Sequence, residues 1–299
     1  MADFTKARQI ETACQQTPDA KFLLITGDLV ESSNGQSAEW EWEQWFEKMQ
    51  NSWLHLPIAP AQGNHDISPF GNMFHHFNTD DSYNMQQSDA ETKTAMGGTV
   101  YSFVYGDALF IVLNYEDYRK GEPYFAALEQ WMRKQIAAHS DVKWRIVAFH
   151  KTMFTGSSAH QNDLDGRVVR ERMAPVFQET GVDLVLQGHD HVYELIGVLT
   201  VEKTTDGIAF THLPEAVSQQ TIGELTRADG TAACNPSVKT ANEMASKAIG
   251  YLRSGLQDSF FTAAIGRAKC YDADIIVNGL LDAVGKPLRS RERIRNNAK

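Results

Sequence analysis

The sequence predicts an α/β layered fold, and three observations carry that reading. Short apolar runs bounded by turn residues, the pattern of strands buried on both faces, alternate three times with helix-period segments over the first two hundred residues. Each run ends in a polar cluster, at Gly27-Asp28, Gly63-Asn64-His65-Asp66, His150 and Gly188-His189-Asp190-His191. The chain has 299 residues with 42% hydrophobic content, enough for one large domain or one domain with an appendage.

The elements follow in order. Phe4, Ala7, Ile10, Ala13 and Cys14 recur at helical spacing, predicting a helix from Phe4 to Gln16 that the TPDA turn ends before a strand at Lys21 to Thr26. Residues 38–50 place Trp42, Trp45, Phe46 and Met49 at helical intervals, a packing stripe. LPIAPAQ gives a second short strand, and residues 67–98, polar and punctuated by glycine, predict a long surface excursion. TVYSFVYGDALFIVLN reads as two strands joined by a tight Gly106-Asp107 turn. A helix at Tyr124 to Ala138, a strand ending in His150, a helix at Val168 to Thr180 and the strand VDLVLQ complete the alternation. Beyond about residue 205, GIAFTHL reads as one strand, 212–237 as loop, 238–270 as helix and DADIIVNGLL as a short buried segment. Lys286, Arg289, Arg291, Arg293, Arg295 and Lys299 against the lone Glu292 form a basic tail. Two regions result, a domain over 1–204 and a partly helical C-terminal region over 205–299.

Composition excludes several function classes. With 28 basic against 38 acidic residues the net charge is -10, which argues against binding a nucleic-acid backbone through the surface as a whole. Cys14, Cys234 and Cys270 have neither the number nor the spacing of a disulfide framework or zinc ribbon. No apolar stretch approaches the length of a membrane span, and MADFTKARQI contains no signal-peptide core.

The strand ends carry the chemistry. In open α/β sheets ligands gather at the carboxyl ends of the strands, and a glycine before each polar group permits the sharp turn that aims side chains into a shared crevice. Asp28, Asn64, His150, His189 and His191 together offer carboxylate, amide and imidazole donors, a mixture that suits Mn, Fe or Zn better than Ca or Mg.

GDLVE, GNHD, FH and GHDH, in this order and spacing, resemble the motifs of the calcineurin-like metallophosphoesterases. YSFVYGDALFIVLN and VDLVLQGHDHVYE resemble connecting segments of the purple-acid-phosphatase-like branch, and the resemblance covers about residues 20–200. It implies a four-layer α-β-β-α metallophosphoesterase sandwich with two central mixed sheets. It also implies two divalent or trivalent metal ions that activate a hydroxide, and hydrolysis of phosphoric esters, either phosphomonoesters or small phosphodiesters, with a small phosphorylated substrate as partner. Asp28 would bridge the two ions, Asn64, His150 and His189 would complete one site, and His191 would serve the other. His65 would stabilise the transition state or protonate the leaving oxygen, helped by Glu31 or by Asp66. His160 lies near the place of a phosphate-contacting His in purple acid phosphatases. His75 and His76 read as exposed loop residues, and Lys151 as either surface or phosphate-directed.

The resemblance departs from the family at two points. The family's first metal site takes a carboxylate from an earlier strand ending in Asp-x-His or a relative. Nothing before Lys21 matches it, Asp3-Phe4-Thr5 having the wrong third residue, so the N-terminal strand is expected to be missing and the first site half ligated. Glu31 stands where purple acid phosphatases place a tyrosine, so no charge-transfer colour is expected. The alternative function is therefore a truncated or pseudoenzyme fragment that binds metal or phosphate with little turnover; the compartment is left open, since relatives of the purple-acid-phosphatase-like branch are often exported and a signal for that would lie upstream.

Overall fold

Side-chain alternation along one strand shows how the layers stack. The computed structural model describes residues 14–15, 18–31, 38–67, 72–79, 90–155, 160, 162–190, 193–197, 200–204, 207–211, 220–222 and 261–265. In chain order the strands are β1 (Leu23–Ile25), β2 (Ile58–Pro60), β3 (Tyr101–Tyr105), β4 (Ala108–Val112), β5 (Trp144–Phe149), β6 (Leu184–Gln187), β7 (Tyr193–Gly197), β8 (Thr200–Thr204), β9 (Gly207–Thr211), β10 (Gln220–Ile222) and β11 (Phe261–Ile265). The helices are α1 (Ala38–Trp53), α2 (Asn72–His76), α3 (Ala90–Met96), α4 (Glu122–Ala138) and α5 (Leu164–Thr180). Along β4, Leu109 and Ile111, followed by Leu113, join Val147, Phe149 and Val185 in one buried cluster with Leu128, Trp131 and Met132 of α4 and Val169, Met173 and Phe177 of α5. Full burial of each such aliphatic side chain stabilises by about 1.5–3 kcal/mol. The intervening Phe110 meets Phe103 in a stack at 4.9 Å and the edge of Phe22 at 5.2 Å.

Phe22 leads into β1, which pairs in parallel with β2, and the Tyr101 hydroxyl ties the two strand layers together by donating to the Pro60 carbonyl at 2.9 Å. On the far side, Trp42, Trp45 and Met49 of α1 pack with Leu29, Val30 and Met73, against Ile25 and Ile58. The layers run α1, β1–β2, a seven-stranded mixed sheet, then α4 with α5, the α-β-β-α sandwich that the resemblance implies. The large sheet has the order β10-β7-β11-β6-β5-β4-β3, and β4, β5 and β6 are parallel, so their carboxyl ends share one edge. β8 and β9 form a separate antiparallel pair.

The structure refines several expectations. The β3–β4 hairpin turns at Gly106-Asp107 as the sequence suggests. α5 begins four residues earlier than its apolar period suggests, with Asp163 at the N-cap in extended conformation and the acidic Asp165 in the first turn; it ends at Gly181, whose φ of 67° only glycine adopts freely. Part of the 67–98 excursion is helical, in α2 and α3. Phe261–Ile265 falls in the stretch read as helix, but it is a strand wedged between β6, to which it is parallel, and β7, to which it is antiparallel. Tertiary pairing on both edges has overridden local helical spacing. Gln220–Ile222, in a stretch read as loop, is a strand at the edge of the same sheet. The proposed helix from Phe4, apart from its last turn, together with DADIIVNGLL and the basic tail, lies outside the described residues. Among the described residues, no helix is long and apolar enough to cross a membrane.

Candidate metal centre

Four strand ends deliver four donors to one place. Asp28 follows β1 after the Thr26-Gly27 turn, Asn64 follows β2, His150 follows β5 directly and His189 follows β6. Asp28 and His189 have φ values of 56° and 75°, left-handed conformations that non-glycine residues adopt at a cost of order 1–3 kcal/mol and mostly at functional sites. Two glycines let the loops touch. A Cβ on Gly27, itself at φ 97°, would lie 2.6 Å from His150 Nδ1 and 2.9 Å from Gly63 Cα, and a Cβ on Gly63 would collide with the Asp28 backbone nitrogen and carboxylate.

His150 is the meeting point. Its Nδ1–H donates to the Thr26 carbonyl at 2.8 Å, and because a carbonyl only accepts, this contact fixes the proton on Nδ1. Its Nε2 then faces Asn64 Oδ1 at 3.0 Å, His189 Nδ1 at 3.1 Å and Asp28 Oδ2 at 3.3 Å. One proton on Nε2 answers only one of these three atoms, whereas a cation with several coordination positions answers them all. The carbonyl behind Nδ1 is the orienting contact that metal-binding imidazoles usually have. The donor set therefore fits a divalent or trivalent transition metal.

The electrostatics agree. Burial opposes ionisation of Asp28, but the imidazole of His150 and the N–H of His65, donated to Oδ1 at 2.9 Å, outweigh it and hold the carboxyl well below the usual carboxylate range. Burial also weighs against charge on His150, yet Asp28 holds that imidazole above its ordinary value, so a metal at Nε2 would take the place of a proton that Asp28 otherwise favours. His189 is pushed down to about 3 by burial and then by its neighbours, His150 first and Lys151 next, so it presents a neutral, ligand-ready ring.

The two expected helpers of His65 have other contacts. Asp66 is buried and clamps the site loops together: its Oδ1 accepts the Leu29 and Val30 N–H groups at 2.7 and 3.2 Å, and its Oδ2 accepts the Gly63 N–H at 2.8 Å. Burial, then the neighbouring Asp28, pushes its carboxyl up to about 7, against the pull of those donors. Glu31 reaches His65 through its main chain, His65 Nδ1–H donating to the Glu31 carbonyl at 2.6 Å, while the Glu31 N–H is taken by Glu41 Oε2 at 2.9 Å. A backbone carbonyl carries no signature in sequence, which is why attention falls on the side chain.

His160 stands beside His189, ring centroids 4.5 Å apart, and its Nδ1 pairs with Asp163 Oδ2 at 2.7 Å. His160, Asp163 and His189 form a second group whose donor atoms lie within 4.8 Å of one another, alongside Asp28, His150 and His189. His191 lies outside the described residues. Lys151 is not a surface residue: it is buried and paired with Asp165 at 2.9 Å and Glu116 at 3.3 Å. His76 is not a loop residue but the end of α2, half-buried between Trp42 and Phe46 and 3.2 Å from Glu39, whereas its neighbour His75 is exposed. Glu116 and Asp165 were not legible as site neighbours, because each sits alone in an ordinary polar stretch and only the fold brings both to Lys151.

The model of the calcineurin-like phosphoesterase family matches residues 3–193, and the chain belongs to that family. Among similar proteins, the serine/threonine-protein phosphatase CPPED1 of Bos taurus is 30% identical over 186 residues, 58% of this chain and 54% of the relative. The probable purple acid phosphatase 20 of Arabidopsis thaliana is 25% identical over 178 residues, 59% of this chain and 40% of the relative. An uncharacterised protein of Mycobacterium tuberculosis is 29% identical over 184 residues, 58% of this chain and 34% of the relative. Among solved structures, the purple acid phosphatase PPD1 from yellow lupin seeds is similar with a TM-score of 0.48 and 17% identity, over 96% of this chain and 52% of that one. The chain thus spans about a third to about a half of the length of the curated relatives it matches.

Proposed function

We propose that the chain is a metal-dependent hydrolase of phosphoric esters, acting on phosphomonoesters or small phosphodiesters. The observation that carries this reading is the convergence of Asp28 Oδ2, Asn64 Oδ1 and His189 Nδ1 on His150 Nε2, at the strand-end edge of a phosphoesterase-family fold. These four residues would hold one ion of Mn, Fe or Zn. Asp28 would be shared with a second ion to which His191 contributes. Such ions polarise a phosphoryl oxygen and lower the pKa of a coordinated water toward neutrality.

The remaining steps belong to the chain's own side chains. The His65 N–H fixes one oxygen of Asp28, leaving the other to face the donor cluster. His65, held at Nδ1 by the Glu31 carbonyl, would in its imidazolium form carry on Nε2 the proton that the leaving oxygen needs as its bond to phosphorus breaks. His160, held at Nδ1 by Asp163, would in its imidazolium form donate to a phosphoryl oxygen through Nε2. Asp66 does no proton chemistry in this scheme and keeps the Asp28 and Asn64 loops in register.

The test is elemental analysis of the purified chain together with hydrolysis of a chromogenic phosphomonoester and phosphodiester on the same sample. The reading requires metal-dependent hydrolysis with more than one metal per chain. One metal or none without hydrolysis would overturn it in favour of a metal- or phosphate-binding pseudoenzyme.

A further inference from the structure

Next to the metal centre, at the same edge of the sheet, lies a cavity of about 430 Å³ that the chemistry above does not use. It is lined by the loop after β4, from Glu116 to Lys120, by Lys151 after β5 and by Asp165 in the first turn of α5. The size is that of a small-molecule pocket. The loop is firmly built: the Asn114 side chain accepts the Glu116 N–H at 2.9 Å and donates to Gln62 Oε1 at 2.9 Å and Thr99 Oγ1 at 3.0 Å.

Its deep wall is short of positive charge. The side chains of Glu116, Lys151 and Asp165 are 3%, 7% and 15% exposed, and the single ammonium of Lys151 serves both carboxylates. Asp165 is satisfied, its other oxygen accepting the Gly166 N–H at 2.7 Å. Glu116 is not: its Oε1 is buried and has no hydrogen-bond partner among the described residues. A buried carboxylate oxygen without a donor is costly, and such atoms in native structures call for a ligand or an ion. The exposed Arg119 does not supply the donor, since it folds back on its neighbour, Nε donating to the Tyr118 hydroxyl at 3.1 Å and the guanidinium lying over the Tyr118 ring at 5.5 Å.

We propose that this cavity is the leaving-group subsite of the hydrolase and that it takes the ammonium end of a phosphorylated amine, with Glu116 Oε1 accepting from it. Across the lining, Asp117 is offset by Arg119 and Lys120, but in the buried wall one ammonium serves two carboxylates and burial pushes Glu116 above its ordinary value, so Glu116 Oε1 calls for a donor that a monocationic ammonium supplies, whereas a divalent ion would repel Lys151 more strongly. Lys151 directly follows His150, and the charges of His150 and Asp28 act on Glu116, so the cavity lies beside the donor cluster and a short amino-alcohol phosphate is the ligand proposed to span them. This assignment rests on the hydrolase reading for the identity of the phosphate end, but the amine preference can be read without turnover.

The experiment compares O-phosphoethanolamine with propyl phosphate, which puts a methyl group where the ammonium stands. Binding of each to the purified chain and to Glu116→Gln is measured by calorimetry, and hydrolysis of each is followed beside that of p-nitrophenyl phosphate. The wild type is expected to bind the amine about tenfold more tightly or better, the scale of one hydrogen bond to a charged group, and Glu116→Gln is expected to reduce the ratio to about twofold or less. Equal affinity in the wild type, binding of neither ligand, or a ratio untouched by Glu116→Gln overturns the proposal; the wild-type comparison decides even if the variant fails to fold. Hydrolysis of p-nitrophenyl phosphate without amine preference would sink only the subsite. Amine preference in binding without hydrolysis of any ester would sink only the hydrolase reading.

Discussion

His150 and Lys151 are adjacent in the chain yet belong to two buried polar clusters built on opposite plans. Around Lys151, the chain supplies a cation of its own: burial weighs against ionisation, but mutual contact raises the lysine above its ordinary value and holds Asp165 below its own, while burial pushes Glu116 up. Around His150, one carboxylate, one amide oxygen and one neutral imidazole crowd a single ring nitrogen, and the chain provides no positive side chain of fixed charge among these four residues. The first cluster carries its own fixed cation and leaves one atom, Glu116 Oε1, without a donor among the described residues. The second carries none and suits a metal cation, and that difference separates the two more clearly than burial does, since both are buried.

The largest effect should come from removing the atom on which the second cluster converges. His150→Ala is expected to lower metal affinity by more than about 100-fold, beyond the 10–100-fold that follows loss of an orienting contact alone, and to abolish ester hydrolysis. Elemental analysis after equilibrium dialysis and a steady-state assay check it; full metal loading in the variant would show that the donors do not act as a set. Next in size is Lys151→Met. Removing one partner of a buried ion pair typically costs about 3–5 kcal/mol, and here two carboxylates are left unmatched. Urea denaturation reads the loss directly, and a variant as stable as the wild type would mean that Glu116 and Asp165 do not depend on Lys151.

Both clusters bear on what the sequence could show. Asp28, Asn64, His150 and His189 were legible because each stands at the end of an apolar run, three of them just after a glycine that permits close approach or within one residue of it. The strand and helix order was legible wherever apolar periodicity is strong, from β1 to β6. Two kinds of information were not. Contacts made by the main chain, such as the Thr26 carbonyl on His150 and the Glu31 carbonyl on His65, are available to any residue type, so their identity leaves no trace. Pairing across long separations is equally silent: Phe261–Ile265 has no pattern that announces a strand, and it becomes one because β6 and β7 leave a slot between them.

The smallest effect belongs to a third ion cluster, which serves as an exposed control for the other two. On the outer faces of α4 and α5, Glu129 pairs with Arg133 and Arg172, both at 2.9 Å, while Arg133 also reaches Glu179 and Arg172 reaches Glu122. Burial is the largest single influence on Glu129 and opposes its ionisation, but the hydrogen bonds and charges of Arg133 and Arg172 together outweigh it and hold the carboxyl below its ordinary value of 4.5. The sign follows: an acid that holds its proton less tightly in the folded state stabilises the fold above the unfolded value, and that contribution is lost as pH falls from 4.5 through the lowered folded value. Because water and salt screen these side chains, Glu129→Gln should cost only about 0.2–1 kcal/mol at pH 7. Denaturation at pH 7 and again below the glutamate range checks it, with the difference between variant and wild type vanishing in acid and shrinking at high salt. A loss as large as that of Lys151→Met would mean that location on the surface, rather than contact with water, has been mistaken for weakness, and the contrast between a cluster with its own cation and one without would need a different physical basis.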